Sequence, residues 1–270
     1  MSLSLKNVTF TYHPDTAFQT EVLTGIDLTL EPGEFVGLTG PAGSGKSTLL
    51  QTAAGLLTPQ HGTVSADGRV GLVLQEPDHQ LFEITLEREI AFAPKSQGLS
   101  ESEISQRIEN SLRTVRLDNA ELRERSPFTL SGGEKRRAAI AGILAMDPRY
   151  LLLDEPLAGL DPEGTEILLA ALKECCRKGT AILMAAHDPD VICEYADRMI
   201  CMEQGRIVFD GSTEAAFAET SHPGIDRPEL GSVRETIARL RAEIAQRFLL
   251  VEKNAFAFHV LSRARCKIEV

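Results

Sequence analysis

Tryptophan is absent from this 270-residue chain, and aromatic residues make up only 5% of it. Carbohydrate clefts and base-stacking surfaces are built from aromatic faces, so both readings are weakened at the outset. Basic charge is also short. The 28 Lys and Arg stand against 39 Asp and Glu, leaving a net charge of −11. Phosphodiester backbones are bound by basic surfaces, which argues against nucleic acid as a partner. Cys175, Cys176, Cys193, Cys201 and Cys266 make no C-x-x-C spacing and no cluster with histidine. They read as reduced thiols, neither a disulfide frame nor a metal site. Long apolar runs are missing too. The longest, residues 138–146, ends at Asp147, well short of the roughly 20 residues that span a bilayer. The first seven residues carry no apolar signal core. The chain is therefore expected to be soluble by itself, with any membrane role supplied through a partner.

Forty-three per cent of the residues are apolar, enough to fill the core of one large domain with or without an appendage. The most informative stretch is residues 36–48. An apolar run ends in a glycine-rich loop, and the loop opens into a helix-like segment that starts at Ser47. Gly40, Gly45, Lys46 and Ser47 fill the pattern G-x-x-x-x-G-K-[ST], and the strand-then-helix context is the one this phosphate loop requires. Glycines let backbone N–H groups turn inward around an anion. The following helix aims its N-terminal dipole at the same phosphates. Gly40, Pro41, Ala42, Gly43, Ser44, Gly45, Lys46, Ser47 and Thr48 are thus expected to bind a nucleotide, with Lys46 reaching the β- and γ-phosphates and Ser47 ligating Mg²⁺.

A second element is the apolar run 150–153 followed by Asp154 and Glu155. A buried parallel strand ending in two carboxylates places both where α/β sheets bind ligands. Asp154 suits Mg²⁺, and Glu155 suits a general base that polarises water against the γ-phosphate. A third element is Leu130, Ser131, Gly132, Gly133 and Glu134 ahead of a helical run. It has the form of another phosphate cradle, with Ser131 as N-cap. One nucleotide does not need two cradles, so the second is expected to serve a nucleotide held by another subunit.

The order of elements implies an α/β fold. Residues 3–12 alternate as an edge strand, 22–30 form a second strand, and 63–75 hold two short strands with Asp67 and Gly68 as a hairpin signal. Residues 76–146 turn to helical periodicity, a helical subdomain inserted into the nucleotide domain. Beyond them, alternating strands and helices imply a parallel sheet covered by helices, and 199–209 read as a hairpin. Composition changes after about residue 220. Residues 225–270 carry nine Lys/Arg against six Asp/Glu, and residues 232–250 carry one apolar helical face. That face packs on the main body or serves docking and dimerisation. The expected division is an ATPase domain at 1–220 and an appendage at 221–270.

Taken together, these motifs resemble the ATPase subunits of the ATP-binding cassette (ABC) family over about residues 3–215. The family's markers occur in its order: an aromatic near the start (Tyr12), Walker A (Gly40–Ser47), the Q-loop glutamine (Gln75), the signature (Leu130–Glu134), Walker B (residues 151–155), the D-loop ending at Asp161, and the switch histidine His187. The resemblance implies a P-loop cassette with a parallel core, an antiparallel β subdomain and a helical subdomain. It also implies a head-to-tail dimer, with an identical chain or a paralogue, closing over two ATP. In that picture Tyr12 stacks on adenine and Gln75 touches Mg²⁺. Ser131, Gly132, Gly133 and Glu134 meet the partner's nucleotide, Asp161 links the two sites, and His187 holds the γ-phosphate and orients Glu155. A narrower resemblance lies in residues 75–82 and 89–94, which are similar to the ATPases of energy-coupling factor importers for metal ions and vitamins, down to a second glutamine, Gln80. It implies a place at the cytoplasmic face of the cell membrane, beneath an integral-membrane scaffold and a substrate-binding membrane subunit, with a coupling groove that includes Gln75, Glu76, Asp78 and Gln80. Glu76, Asp78 and Glu83 are expected to form an acidic rim for basic residues of the scaffold. ATPases of other ABC branches, and non-transport ABC ATPases, are the rival readings.

Overall fold

The computed structural model describes residues 2–76, 79–186, 189–213 and 215. His187, Asp78 and the expected appendage at 221–270 lie outside the described residues.

Two sheets carry the chain. β1 (Leu3–Tyr12), β2 (Thr20–Leu30) and β4 (His61–Ser65) form an antiparallel sheet in the order β2-β1-β4. The alternating pattern of 3–12 predicted an edge strand. β1 is instead the central strand, paired on one side by its sequence neighbour and on the other by a strand about 50 residues on. The second sheet adds β3 (Phe35–Thr39), β5 (Val70–Val73), β6 (Tyr150–Asp154), β7 (Ala181–Ala185), β8 (Arg198–Glu203) and β9 (Arg206–Ser212), in the order β5-β6-β7-β3-β8-β9. All its pairings are parallel except the β8–β9 hairpin. The hairpin read at Asp67–Gly68 does not form. β4 and β5 belong to different sheets, and the turn hands the chain from one to the other. Asp67 is held there by the Tyr150 hydroxyl, which donates to it, and by Arg149 at 3.0 Å. Burial, together with this carboxylate, pushes the Tyr150 phenol up to about 12.

Parallel strands buried on both faces read as continuous apolar runs, and β6 and β7 do: every residue in them is buried. Their alternation still divides them between two cores. Leu151, Leu153, Ile182 and Met184 face one core, and Tyr150, Leu152, Leu183 and Ala185 the other. The second core also takes Leu49 and Leu50 of α1 (Lys46–Ala53) and the apolar face of the antiparallel sheet. The first core takes the helical segment: α2 (Leu86–Ser96), α3 (Glu101–Thr114), the short α4 (Ala120–Arg123) and α5 (Gly132–Ala145), with α6 (Pro162–Arg177) alongside. Two helix starts are sealed by side chains on both sides. Ser100 with Glu103, and Ser131 with Glu134, each make a reciprocal capping box at the start of α3 and α5. A short 3₁₀ turn (Pro127–Thr129) and α7 (Pro189–Tyr195) complete the described elements.

Candidate nucleotide site at the edge of the parallel sheet

β5, β6, β7 and β3 run parallel, so their C-terminal ends share one edge. The register places Leu38 beside Ala185, and Ala185 beside Asp154. The loops leaving that edge are the ones that carry the phosphate loop, the two carboxylates and Gln75.

The phosphate loop leaves β3 at Gly40, whose φ of 141° lies outside the range that side chains favour. A Cβ there would stand 2.2 Å from the Met202 carbonyl oxygen. Only glycine fits between the loop and β8. Gly45 (φ 103°) turns the chain into α1, whose first turn has no side-chain cap. A helix start left uncapped by side chains, preceded by glycines, has the form of an anion cradle. Within it the Lys46 ammonium donates to the carbonyls of Gly40 (2.8 Å) and Pro41 (3.2 Å). Burial lowers the Lys46 pKa, while the carboxylates of Glu155 and Asp154 oppose that shift. Ser44 Oγ is buried without a hydrogen-bond partner. A polar atom of that kind inside a glycine cradle fits a phosphate oxygen. Tyr12 lies alongside: its hydroxyl shares a 3.4 Å hydrogen bond with Thr48 Oγ1, and its ring packs edge-on against Phe10.

Asp154 ends β6 and is buried, 4% exposed. Glu155 follows in the left-handed region (φ 47°), so its side chain leaves the strand in a different direction. Its Oε2 accepts from Gln75 Nε2 at 3.0 Å. The structure thus brings together Lys46, Gln75, Asp154 and Glu155, which the sequence spreads over more than a hundred positions. The oxygen donors Ser47 and Asp154 suit a hard cation such as Mg²⁺.

The signature residues open α5. Ser131 Oγ accepts from the Glu134 N–H at 3.3 Å, and Glu134 Oε2 accepts from the Ser131 N–H at 2.8 Å. Ser131 is the N-cap of α5, as the sequence indicated, and its hydroxyl also bonds the Glu134 carboxylate. These bonds hold the Glu134 carboxyl below its ordinary pKa. Ser131, Gly133, Glu134, Arg137 and Asp161 line a cavity of about 540 Å³. Asp161 caps α6, its Oδ1 accepting from the Gly164 N–H at 2.7 Å.

Sequence reasoning missed two contacts here. The Gln80 amide is turned onto the end of β5, with Nε2 donating to the Leu72 carbonyl (2.9 Å) and Oε1 accepting from the Leu74 N–H (2.8 Å). It pins the loop that carries Gln75. Arg136, one of three consecutive basic residues, is buried and donates to the main-chain carbonyls of both Glu155 and Gln75 at 2.8 Å. Nothing in the sequence distinguishes it from Lys135 and Arg137 except the helical period, which turns it inward.

A glycine-rich cradle, a buried lysine and two acids at the end of β6, one strand removed in the same sheet, define a P-loop nucleoside triphosphatase cassette. The comparisons narrow that class. The family model described as ABC transporter matches residues 23–158. The energy-coupling factor transporter ATP-binding protein EcfA2 of Clostridium perfringens is 43% identical over 81% of this chain and 82% of its own length. Its counterpart of the same name in Clostridium tetani is 36% identical over 99% and 97%. Among solved structures, cbiO1 of Clostridium perfringens, part of the ABC transporter complex cbiONQ, superposes with a TM-score of 0.71 at 32% identity, covering 86% of this chain and 98% of that one. A dimeric ABC cassette in a post-hydrolysis state bound to ADP and Pi superposes at 0.70 and 28%, covering 78% and 98%. The chain belongs to the ABC transporter family, in the branch of the energy-coupling factor ATP-binding proteins.

Proposed function

We propose that the chain binds ATP with Mg²⁺ in the Lys46 cradle and hydrolyses it to drive an energy-coupling factor importer at the membrane. The observation that carries this reading is the convergence of Lys46, Asp154, Glu155 and Gln75 on one sheet edge. Backbone N–H groups and Lys46 bind the phosphates. Tyr12 offers its ring to adenine. Ser47, Asp154 and Gln75 would hold Mg²⁺, which when bound would neutralise charge on the phosphate oxygens. Glu155, aimed by its bond to Gln75, takes a proton from the attacking water. His187 is assigned the γ-phosphate and the orientation of Glu155. The second cradle, Ser131 to Glu134, faces a partner cassette's nucleotide, and Asp161 stands at the same cavity. A second cassette, identical or paralogous, is therefore needed to complete each site. ATP binds the closed dimer more tightly than the open one, and that difference in affinity supplies the work.

Among the described residues no helix is long and apolar enough to cross a membrane. Transport then requires integral-membrane partners, a scaffold and a substrate-binding subunit. The segment just after Gln75 supports such docking. Phe82, Ile84 and Phe92 are exposed, at 56%, 64% and 49%, and the Phe82 and Phe92 rings pack edge-to-face at 4.8 Å. Glu89 holds this segment in shape by accepting from the N–H groups of Phe82 (3.0 Å) and Glu83 (2.8 Å). Exposed apolar residues gathered beside a functional loop mark an interaction surface. Glu76, paired with His79 at 3.2 Å, and Glu83 are assigned, with Asp78, the acidic rim of that surface.

The test is purification of the tagged chain from gently solubilised native membranes. A multi-helix scaffold and a small membrane protein are expected with it, and their absence under conditions that preserve other ABC complexes would reject the transport reading. The double variant Phe82→Asp with Ile84→Asp is expected to lose those partners while ATP affinity stays within about 2-fold. Undiminished capture would place the docking surface elsewhere.

A further inference from the structure

Arg136 lies on α5, five residues after Ser131, and is 8% exposed. Burying a guanidinium is costly unless its donors are satisfied. Burial does lower the Arg136 pKa, and the Glu155 carboxylate opposes that shift. Its two terminal nitrogens meet one carbonyl each, Nη1 that of Glu155 and Nη2 that of Gln75, both at 2.8 Å. These two residues are themselves joined through their side chains at 3.0 Å. The three residues form a closed ring, with one planar fork spanning the loops that leave β5 and β6.

The ring acts on a strained residue. A non-glycine residue at φ 47° is strained and persists only where its surroundings hold it. The Glu155 N–H donates to the Ala185 carbonyl at 3.1 Å, and its own carbonyl is taken by Arg136. Both peptide groups flanking the Glu155 Cα are thereby fixed, which sets the direction of its Cα–Cβ bond, and the Gln75 amide holds the carboxylate at the far end. The holder of that carbonyl stands on the same rigid helix whose first turn carries Ser131 and Gly133. Any shift of α5 that seats or unseats the signature residues must move Arg136 and pull on both carbonyls.

We propose that Arg136 is a positioning residue that aims Glu155 and Gln75 and ties that aim to the placement of the signature end of its own helix. A chain whose signature turn is engaged by a partner thus sets its own hydrolytic carboxylate. This rests on the reading of Glu155 as the base.

The test uses the full-length chain with Arg136→Met, which removes the donors, and Arg136→Lys, which keeps a charge but not the fork. Affinity for a fluorescent ATP analogue, kcat for ATP and the thermal midpoint are measured for each. General-base catalysis contributes roughly 10²–10⁴-fold, so partial misaiming is expected to lower kcat of the Met variant at least ~10-fold, with nucleotide affinity changed less than ~2-fold and partial recovery in the Lys variant. In a Gln75→Ala background the Met substitution is expected to cost less than ~3-fold more, because contacting residues of one network are not additive. A folded Arg136→Met chain with unchanged kcat overturns the proposal. So does a loss of kcat that tracks the thermal midpoint, shows no recovery with Lys and adds fully to Gln75→Ala. Glu155→Gln, run in parallel, separates the two readings. If it turns over normally, the base assignment fails. If it is inactive while Arg136→Met is not, only the role of Arg136 fails.

Discussion

Glu155→Gln is expected to abolish turnover while leaving ATP bound. The substitution exchanges one carboxylate oxygen for an amide group of nearly the same size. The Gln75 Nε2 donor, now 3.0 Å from Glu155 Oε2, can still bond the remaining carbonyl oxygen. The main-chain bonds that hold the residue at φ 47° do not involve the altered atoms. What is lost is the capacity to accept a proton, and general bases account for roughly 10²–10⁴-fold of a rate. The phosphate cradle is built from other residues, so affinity is expected to hold, and trapped ATP should accumulate the closed dimer. Phosphate release measures the first effect and size-exclusion chromatography with ATP the second. Wild-type turnover would remove Glu155 from the mechanism.

Lys46→Ala is the counterpart, a loss of binding in place of a loss of chemistry. The ammonium is the cation at the centre of the cradle, within reach of the Gly40 and Pro41 carbonyls and under the field of Glu155 and Asp154. Alanine leaves those carbonyls unmatched and the acids unopposed beside an incoming polyanion. A charge-assisted hydrogen bond contributes about 1.5–3 kcal/mol, and 1.4 kcal/mol is a factor of ten. ATP affinity is therefore expected to fall at least ~10-fold, and ~100-fold where two phosphate contacts are lost. Titration calorimetry with the folded variant reads this directly. Unchanged affinity would mean that the nucleotide is held elsewhere.

The chemistry-bearing segments were legible because each combines a composition with a context. Glycines after a strand and before a helix have few other uses, and two acids after four buried residues end up at a sheet edge. Pairing was less legible. Asp67 and Gly68 announce that the chain turns, but not which sheet receives it. The deciding contacts, Tyr150 and Arg149 on Asp67, come from residues some eighty positions away. β1 shows the same limit, since alternation reports one buried face and is silent on the number of neighbours. Ser100 with Glu103 repeats the S-x-x-E spacing that marks Ser131, and that spacing is enough to find the start of α3. Arg136 was hidden for a different reason. Basic runs usually lie on solvated faces, and only the contacts around the helix single out the one that turns inward.

The bond between Gln80 and β5 has a consequence for the free protein. β5 is the outermost strand of the six-stranded sheet, and an outer strand presents unmatched donors and acceptors to which another chain can add a strand. The Gln80 amide occupies the Leu72 carbonyl and the Leu74 N–H, two residues apart along the strand, as a neighbouring backbone would. Gln60 does the same for Thr11 in the other sheet, accepting from its N–H at 2.7 Å and donating to its carbonyl at 2.9 Å. Each glutamine is a one-residue imitation of a strand. At β5, Gln80 closes a rim that would otherwise invite self-association while the cassette waits for its partners, whereas Gln60 fills the place beyond the end of β4 on the central strand β1.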